Sequence, residues 1–444
     1  MQRMNIGICG LGTVACGVIN VWQRNQSLLT SRAGKNSVIT HIGARRDNPA
    51  CDTHAYTVSR DIFAVVNDPS VDVVVELIGG IEPARQLVME AIAAGKHVVT
   101  ANKALIAEHG DEILAAAALA DVEVRFEAAV AGGIPVIKAL TEGLSGNAIE
   151  SIVGIINGTG NYILTEMREK NRSFEDALAD AQRLGYAEAD PTYDVEGIDA
   201  AQKLTILAAL AYGTPLDASR CYTEGISAVS VEDMTYANEL GYCIKHLGIA
   251  RATKQGLEMR VHPALIPKSR LIANVNGVLN AVAIHGDAVG PTLFCGAGAG
   301  AEPTASAVIA DIVDISRKMA CGSKASSGVS AAPSEQQESV QAALHRVVPI
   351  TDIHCAYYLR IAAANRPGVL SQITQVLSDA DISVEGVRQH EHTVGAHTHT
   401  DEPVPIVLTT NVTLESNFRA AVAQIEMLDT VLQPVSIIRI ESVD

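Results

Sequence analysis

Acids and lysines crowd one short segment of the chain. Residues 184–203 carry five carboxylates, Glu188, Asp190, Asp194, Glu196 and Asp199, and end in Lys203. Asp199 and Lys203 stand four apart, so on a helix they share a face. Between 199 and 211 the polar residues are Asp199, Gln202, Lys203 and Thr205, all on one arc. Such an arc is either the solvated face of an amphipathic helix or the lining of a polar cleft, and periodicity alone favours the solvated face. A second lysine, Lys103, closes Val98-Val99-Thr100-Ala101-Asn102-Lys103, just past the end of a strand. Open α/β sheets bind ligands at that edge, although taken alone Lys103 reads as a surface lysine. A lysine ammonium can stabilise negative charge growing on a substrate oxygen and deliver a proton to it. No cluster of His and Cys suggests a catalytic zinc.

A glycine pattern supplies a second kind of site. Gly10-Leu11-Gly12-Thr13-Val14-Ala15 follows the first strand and opens a helix. It matches G-x-G-x-x-A: Gly10 permits the tight turn, Gly12 lets backbone approach a pyrophosphate, and Ala15 lets helix pack close to strand. The helix N-terminus then offers free N–H groups and a positive dipole end to the phosphates. The alternative is an ordinary strand–helix turn. The second strand ends in Gly43-Ala44-Arg45-Arg46-Asp47. Arginine there suits the 2′-phosphate of NADP, whereas a carboxylate would suit the ribose of NAD. The bland reading of Arg45 and Arg46 is a solvated pair. Their distance from the glycines exceeds the usual ~20 residues, so an extended helix or loop over residues 22–36 must intervene.

These residues need a scaffold. Up to about residue 145, strand patterns at 5–9, 38–44, 71–78, 97–100 and 122–128 alternate with helical patterns such as 83–94 and 111–120. Alternation of this kind predicts a parallel, doubly wound sheet of Rossmann type. Residues 146–320 have longer helices, at 173–184 and 199–211, with strands such as 149–156 interspersed, an α+β texture. After the glycine run 296–300 a helix begins near Thr304, with Pro303 in its first turn, and residues 300–320 are expected to complete the first domain. Residues 321–338, rich in Ser, Ala and Gly, read as the core of a linker spanning 321–353. From 354 to 444 the pattern is β-α-β-β-α-β, with apolar helix stripes at Val369, Leu370, Ile373, Val376, Leu377 and at Phe418, Ala421, Val422, Ile425, Leu428. That is a ferredoxin-like module.

The chain has 444 residues, 48% hydrophobic and 19% charged, which predicts two or three globular domains. A formal net charge of −17 disfavours nucleic acid and anionic membrane as partners. No stretch resembles a signal peptide or an apolar span of membrane length. The eight cysteines include no Cys-x-x-Cys pair and read as reduced core residues of a cytoplasmic protein.

Several separate stretches resemble homoserine dehydrogenase. They are the Gly10 loop, Thr100-Ala101-Asn102-Lys103, residues 127–135 (Glu-Ala-Ala-Val-Ala-Gly-Gly-Ile-Pro), residues 154–164, the segment 188–203, and residues 296–307. They follow the family's order across roughly residues 5 to 320. The departures are Ala15 for a frequent glycine and Gly160 for a usual threonine or cysteine. The resemblance implies reversible reduction of aspartate 4-semialdehyde to homoserine with NADP or NAD. Lys203 would be the acid/base residue at the substrate oxygen, with Lys103 assisting. Glu188 and Asp199 would hold the substrate ammonium, supported by Asp194, and Asn157, Thr159, Gly185 and Tyr186 would line the pocket. Gly10, Gly12, Thr13, Val14, Thr100, Lys103 and Gly300 would contact the dinucleotide. Glu127, Val130, Gly132 and Ile134 would bind a monovalent cation, sodium, largely through carbonyls; the bland reading there is a glycine turn feeding a helix.

The last region resembles an ACT domain, a module that binds amino acids, through Leu359-Arg360-Ile361, Asn365-Arg366-Pro367-Gly368-Val369-Leu370 and Ile382-Ser383-Val384-Glu385. This implies a regulatory ligand, threonine being the expected effector, and a homodimer or homotetramer, in a form without the aspartate kinase portion of bifunctional relatives. The tract 390–399, with four histidines, reads as a solvated hairpin tip, with metal binding as the alternative. Two rival readings are another Rossmann oxidoreductase of an amino-acid-derived substrate and a non-catalytic sensor. The paired lysines and the acidic segment argue against both.

Overall fold

A computed structural model describes residues 3–321, 344–389 and 403–442. In the first region β1 (Met4–Cys9), α1 (Thr13–Ala33), β2 (Ser37–Gly43), β3 (Thr57–Ser59), α2 (Phe63–Val66), β4 (Val73–Glu76), α3 (Ala84–Ala93), β5 (His97–Thr100), α4 (Lys103–Ala120) and β6 (Val124–Arg125) follow one another. The six strands form one parallel sheet ordered β3-β2-β1-β4-β5-β6. Helical crossovers bury both faces, which is why β4 is Val73-Val74-Val75-Glu76 without alternation, every residue buried. Helix α1 runs 21 residues and stops at Gly34 in the left-handed region; its length supplies the extra residues between glycine loop and arginines. Helix α4 starts earlier than its pattern suggested, because the Asn102 side chain caps it by accepting from Leu105 N at 3.1 Å. Strand β6 is shorter than expected. Residues 127–129 turn away as a 3-10 helix, with Glu127 N donating to Asp311 instead of to a ladder partner.

The second region contributes α5 (Val136–Lys138), β7 (Ile149–Ile155), α6 (Gly158–Lys170), α7 (Phe174–Arg183), α8 (Thr192–Val195), α9 (Ile198–Tyr212), β8 (Tyr222–Thr223), α10 (Val231–Glu239), β9 (Tyr242–Thr253), β10 (Gly256–Pro267), β11 (Leu279–Gly286), β12 (Gly290–Ala297) and α11 (Ala301–Cys321). The β9–β10 hairpin pairs over twelve residues. Its burial on both faces erases the period-2 signal that would have announced it. Helix α11 returns to the first region and lies along α1. A Cβ on Gly17 would sit 2.3 Å from Ala301 O, so these helices approach as closely as a missing side chain allows.

The C-terminal module comprises β13 (His354–Ala364), α12 (Val369–Asp379), β14 (Val384–Gln389), β15 (Pro403–Thr410), β16 (Thr413–Leu414), α13 (Glu415–Glu426) and β17 (Ser436–Ile440). Its strands order as β17-β13-β15-β14, the antiparallel ferredoxin-like arrangement. Tyr357 and Phe418 stack at 3.6 Å between sheet and helix. The module does not form a sheet of its own. Strand β17 pairs in parallel with β10 (Ala264 with Arg439, Leu265 with Ile440), giving one 11-stranded sheet across both regions. Residues 344–353, read as linker, partly join it too: Leu257 N donates to Arg346 O and Val348 N to Leu257 O, both at 2.9 Å. The expected loose connection over 322–343 and the histidine tract lie outside the described residues.

Candidate active site

The glycine loop is built as its sequence requires. Gly10 has φ +103°, and a Cβ there would meet Leu77 O at 2.6 Å. Gly12 caps α1 from extended backbone, with open space where its side chain would be. The first-turn amides of Thr13 and Val14 donate to no group among the described residues, leaving them for an anion. Arg45 and Arg46 stand exposed past β2 without an ion pair among the described residues. The nearby carboxylate, Asp47, is held by Arg60 through two 2.9 Å bonds. The strand end therefore offers free guanidinium groups and no free acid. Thr100 is buried at the end of β5, and Gly300, at φ +127°, precedes α11 beside α1. This cradle fits a nicotinamide dinucleotide.

Across from it, α9 brings the acidic segment to the start of α4. Asp199 Oδ2 accepts from Lys203 Nζ at 2.7 Å and from Asn157 Nδ2 at 2.8 Å, and its Oδ1 lies 3.1 Å from Lys103 Nζ. Burial by itself pushes the Asp199 carboxyl up, but the Lys203 and Lys103 ammonium groups and the Asn157 bond outweigh it and hold it at about 2. Lys203 also donates to Ile156 O at 2.8 Å. Asn157 bridges Asp199 to Asp194, donating to Asp194 Oδ1 at 2.8 Å, while its own oxygen accepts from Gly160 N and caps α6. Burial raises the Asp194 carboxyl, the Asn157 bond opposing it. Lys103 sits 5.4 Å from the centre of the Tyr193 ring, whose hydroxyl bonds Gln202. Burial and then the Asp199 charge push that hydroxyl up to about 12. The arc that periodicity favoured as a solvated face is thus interior: Asp199, Gln202 and Thr205 are buried.

The remaining pocket residues are less tightly gathered. Thr159 donates to Tyr186 O at 2.7 Å, and the Tyr186 ring packs 5.0 Å from Tyr162. Gly185 turns the chain at φ +78°. Glu188 is exposed, and its carboxylate makes no contact with Asp199 or either lysine. Sequence reasoning missed Tyr193, the Ile156 carbonyl and Glu76. A backbone acceptor leaves no mark in side-chain pattern, and the buried Glu76 ending an all-valine strand was the one signal on offer.

The loop 127–135 has a mixed fit to a monovalent cation. The Glu127 carboxylate is consumed as a helix cap, accepting from Ile137 N at 2.8 Å and Lys138 N at 2.9 Å. Ile134 O accepts from Val136 N at 2.8 Å, and Glu127 O from Val130 N only at 3.4 Å. The carbonyls of Val130 and Gly132 accept nothing among the described residues. Gly132, at φ +51°, lies where a Cβ would strike Gly298 O at 2.4 Å, so this loop abuts the glycine run. Carbonyl oxygens without donors suit a hard monovalent ion, and no cluster of side-chain ligands for a transition metal occurs among the described residues.

Comparison with known proteins agrees with this geometry. Family models match in three places: "Homoserine dehydrogenase, NAD binding domain" over residues 10–127, "Homoserine dehydrogenase" over 135–313, and "ACT domain" over 357–426. The chain is 54% identical to a homoserine dehydrogenase of Pseudomonas aeruginosa, over 100% of both chains. It is similar to the crystal structure of a homoserine dehydrogenase from Thiobacillus denitrificans, with TM-score 0.90, 52% identity and coverage of 100% of this chain and 99% of that one. The homoserine dehydrogenase of S. aureus matches at TM-score 0.77 and 30% identity over the whole of both chains.

Proposed function

The chain belongs to the homoserine dehydrogenase family, a nicotinamide-dependent oxidoreductase of amino-acid biosynthesis with a C-terminal ACT domain, and from that premise we propose how its residues interconvert L-aspartate 4-semialdehyde and L-homoserine. The bound nicotinamide supplies or accepts the hydride. Lys203 serves the substrate oxygen. Of its three N–H donors, one goes to Asp199 and one to Ile156 O; the third is left for the substrate. In the reducing direction the ammonium meets the charge growing on the aldehyde oxygen and gives it a proton; in reverse the neutral amine takes the hydroxyl proton. Asp199, ionised at any physiological pH, orients both lysines and, with Glu188, draws the substrate ammonium. Glu188 stands apart from Asp199, so this role asks for movement of residues 185–190 onto the ligand.

The observation that carries the reading is the Lys103–Asp199–Lys203 junction, one buried carboxylate between two lysines. Lys203→Ala should lower turnover at least about 100-fold while NADP still binds. Near wild-type turnover would sink the assignment.

Finer features follow from the same site. Free guanidinium groups at Arg45 and Arg46 support NADP over NAD. The unpaired carbonyls of Val130 and Gly132 support sodium held with Glu127 O and Ile134 O. The ACT module supports feedback by threonine at the turn 365–368, acting on a homodimer or homotetramer. Six buried and two exposed thiols, none in a disulfide, support a cytoplasmic setting; among the described residues no helix is long and apolar enough to cross a membrane.

A further inference from the structure

The roles above leave the buried carboxylate of Glu76 unused. It ends β4 and is wholly inaccessible to solvent. Its Oε1 accepts from the amides of Ile78 at 2.8 Å and Gly79 at 3.2 Å, and its Oε2 from the Thr100 hydroxyl at 2.5 Å. Among the described residues no lysine, arginine or histidine lies within ion-pair distance of it. Burial therefore pushes this carboxyl up, and the donors pull against that. An aliphatic side chain would end the strand without the cost of burying an acid. What only the carboxylate contributes is the set of three bonds.

Those bonds hold the crest of the sheet. Leu77 N donates to Cys9 O at 2.8 Å, and Leu77 O backs Gly10, so the turn after β4 abuts the glycine loop. Thr100 Oγ1 accepts from Asn102 N at 2.9 Å. Asn102 in turn donates its side-chain amide to Gly80 O at 2.6 Å and caps α4. The next residue is Lys103, 3.1 Å from Asp199. One carboxylate thus ties together the turn after β4, the turn after β5 and the start of the helix that presents a lysine to the active site.

We propose that Glu76 is a positioning residue for hydride transfer: it locks the turns 77–80 and 100–102 and, through them, fixes Lys103 and the surface on the β4–β5 side of the switch point where the nicotinamide half of the dinucleotide rests. The inference rests on the reading of these strand ends as the dinucleotide site. It matters for rate because hydride transfer needs donor and acceptor in near-attack geometry, and a displacement of about 1 Å can cost ~100-fold.

The test uses the full chain with Glu76→Gln, Thr100→Val, Thr100→Ser and Gly12→Val. NADP binding without substrate is measured by calorimetry, and kcat is expressed per NADP-binding site. Glu76→Gln keeps the acceptor for Ile78 and Gly79 but presents a donor to Thr100, and Thr100→Val removes the hydroxyl. Each should lower kcat about 10- to 100-fold with little change in the KM for homoserine. The double variant should be no worse than the poorer single, and Thr100→Ser should restore the rate. Should Glu76→Gln fail to fold, the Val and Ser variants at 100 decide alone. Wild-type kcat per site in Glu76→Gln and Thr100→Val overturns the proposal, as does a Thr100→Ser no better than Thr100→Val. Gly12→Val should abolish NADP binding. If it binds as the wild type does, the dinucleotide reading itself fails.

Discussion

In the proposed mechanism Asp199 is the residue on which the chemistry turns, because both lysines share it. A carboxylate bonded to both lysines aims them at one point, which a solvated acid could not do. Its depressed pKa also has a sign. An acid held at about 2 in the folded state stabilises the fold fully above its ordinary range near 3.9, and that stabilisation is lost only as pH falls towards 2. Loss of activity between pH 7 and 5 should therefore be the same in wild type and in a slower Asp199→Glu variant; a wild-type acid limb that this change shifts would contradict the assignment. At the end of β2, Arg45 and Arg46 have no ion-pair partner among the described residues. Replacing both with Ala should raise the KM for NADP by about tenfold or more, since charge-assisted bonds to phosphate contribute more than a kcal/mol each, and leave the KM for NAD almost unchanged. Equal shifts for both cofactors would show that these arginines do not read the 2′-phosphate. Both arginines and both lysines stood out as candidates in the sequence. It was silent on Ile156 O, because any residue supplies a carbonyl.

Among the elements, α1 and α11 show how tightly the cofactor domain is closed. Ala15 was expected to be the small residue of closest packing, and it is buried against the sheet. The tightest approach is at Gly17, against Ala301 O and the Ala305 Cβ, 2.3 and 3.2 Å from the place of its missing Cβ. Those partners are backbone and helix, so they cannot rotate aside. Gly17→Ala should destabilise by about 1–3 kcal/mol, despite the better helix propensity of alanine, and should weaken NADP binding by moving Gly300 away from the loop. A thermal midpoint equal to or above wild type would refute this packing. Helix α9 carries the opposite lesson. Its polar arc was legible, but not the side it faced, because a stripe of four polar residues looks the same towards water as towards a polar cleft.

Seen as a whole, the catalytic region and the C-terminal module share one sheet and are joined by buried charge. Arg439, on β17, grips Glu415 through bonds of 2.7 and 3.0 Å and reaches Glu224 of the catalytic region at 2.8 Å. Arg260 on β10 bonds Glu441 at 2.8 Å, and Arg360 bonds Asp233 at 2.7 Å. Ending the chain after Cys321 would therefore expose the edge of β10 and strand Arg260 and Asp233. The truncated enzyme should be markedly less stable, not merely insensitive to effector, and its denaturant midpoint against that of the full chain measures this. Arg439→Met should cost about 3 kcal/mol or more at pH 7, the scale of breaking a buried pair. Burial pushes Glu415 up, but Arg439 outweighs it and holds the carboxyl at about 2. This contribution is present above the ordinary glutamate range near 4.3 and vanishes as pH falls towards 2. The gap in thermal midpoint between wild type and Arg439→Met should accordingly narrow below pH ~4; a gap constant down to pH 3 would argue against this pair. For threonine, inhibition of the full chain that weakens in Asn365→Ala places the effector at the ACT turn, and no inhibition at millimolar concentration would mean a different effector.

What the sequence determined by itself were the local decisions. The glycine loop needs a positive φ at Gly10, Pro303 suits the first turn of a helix, and a β-α-β-β-α-β period dictates a ferredoxin-like module. Each of these is settled by forces acting over a few residues. Tertiary structure decided the rest. It set which face of α9 is wet, which oxygen receives Lys203, what Glu76 is buried to hold, and that β17 adds to β10 so that the catalytic region and the ACT module share one sheet. Those outcomes depend on pairing between segments up to about 175 residues apart in the chain, where a strand edge can accept many partners and only the packed side chains, here Arg260, Glu441, Arg439 and Glu224, choose among them.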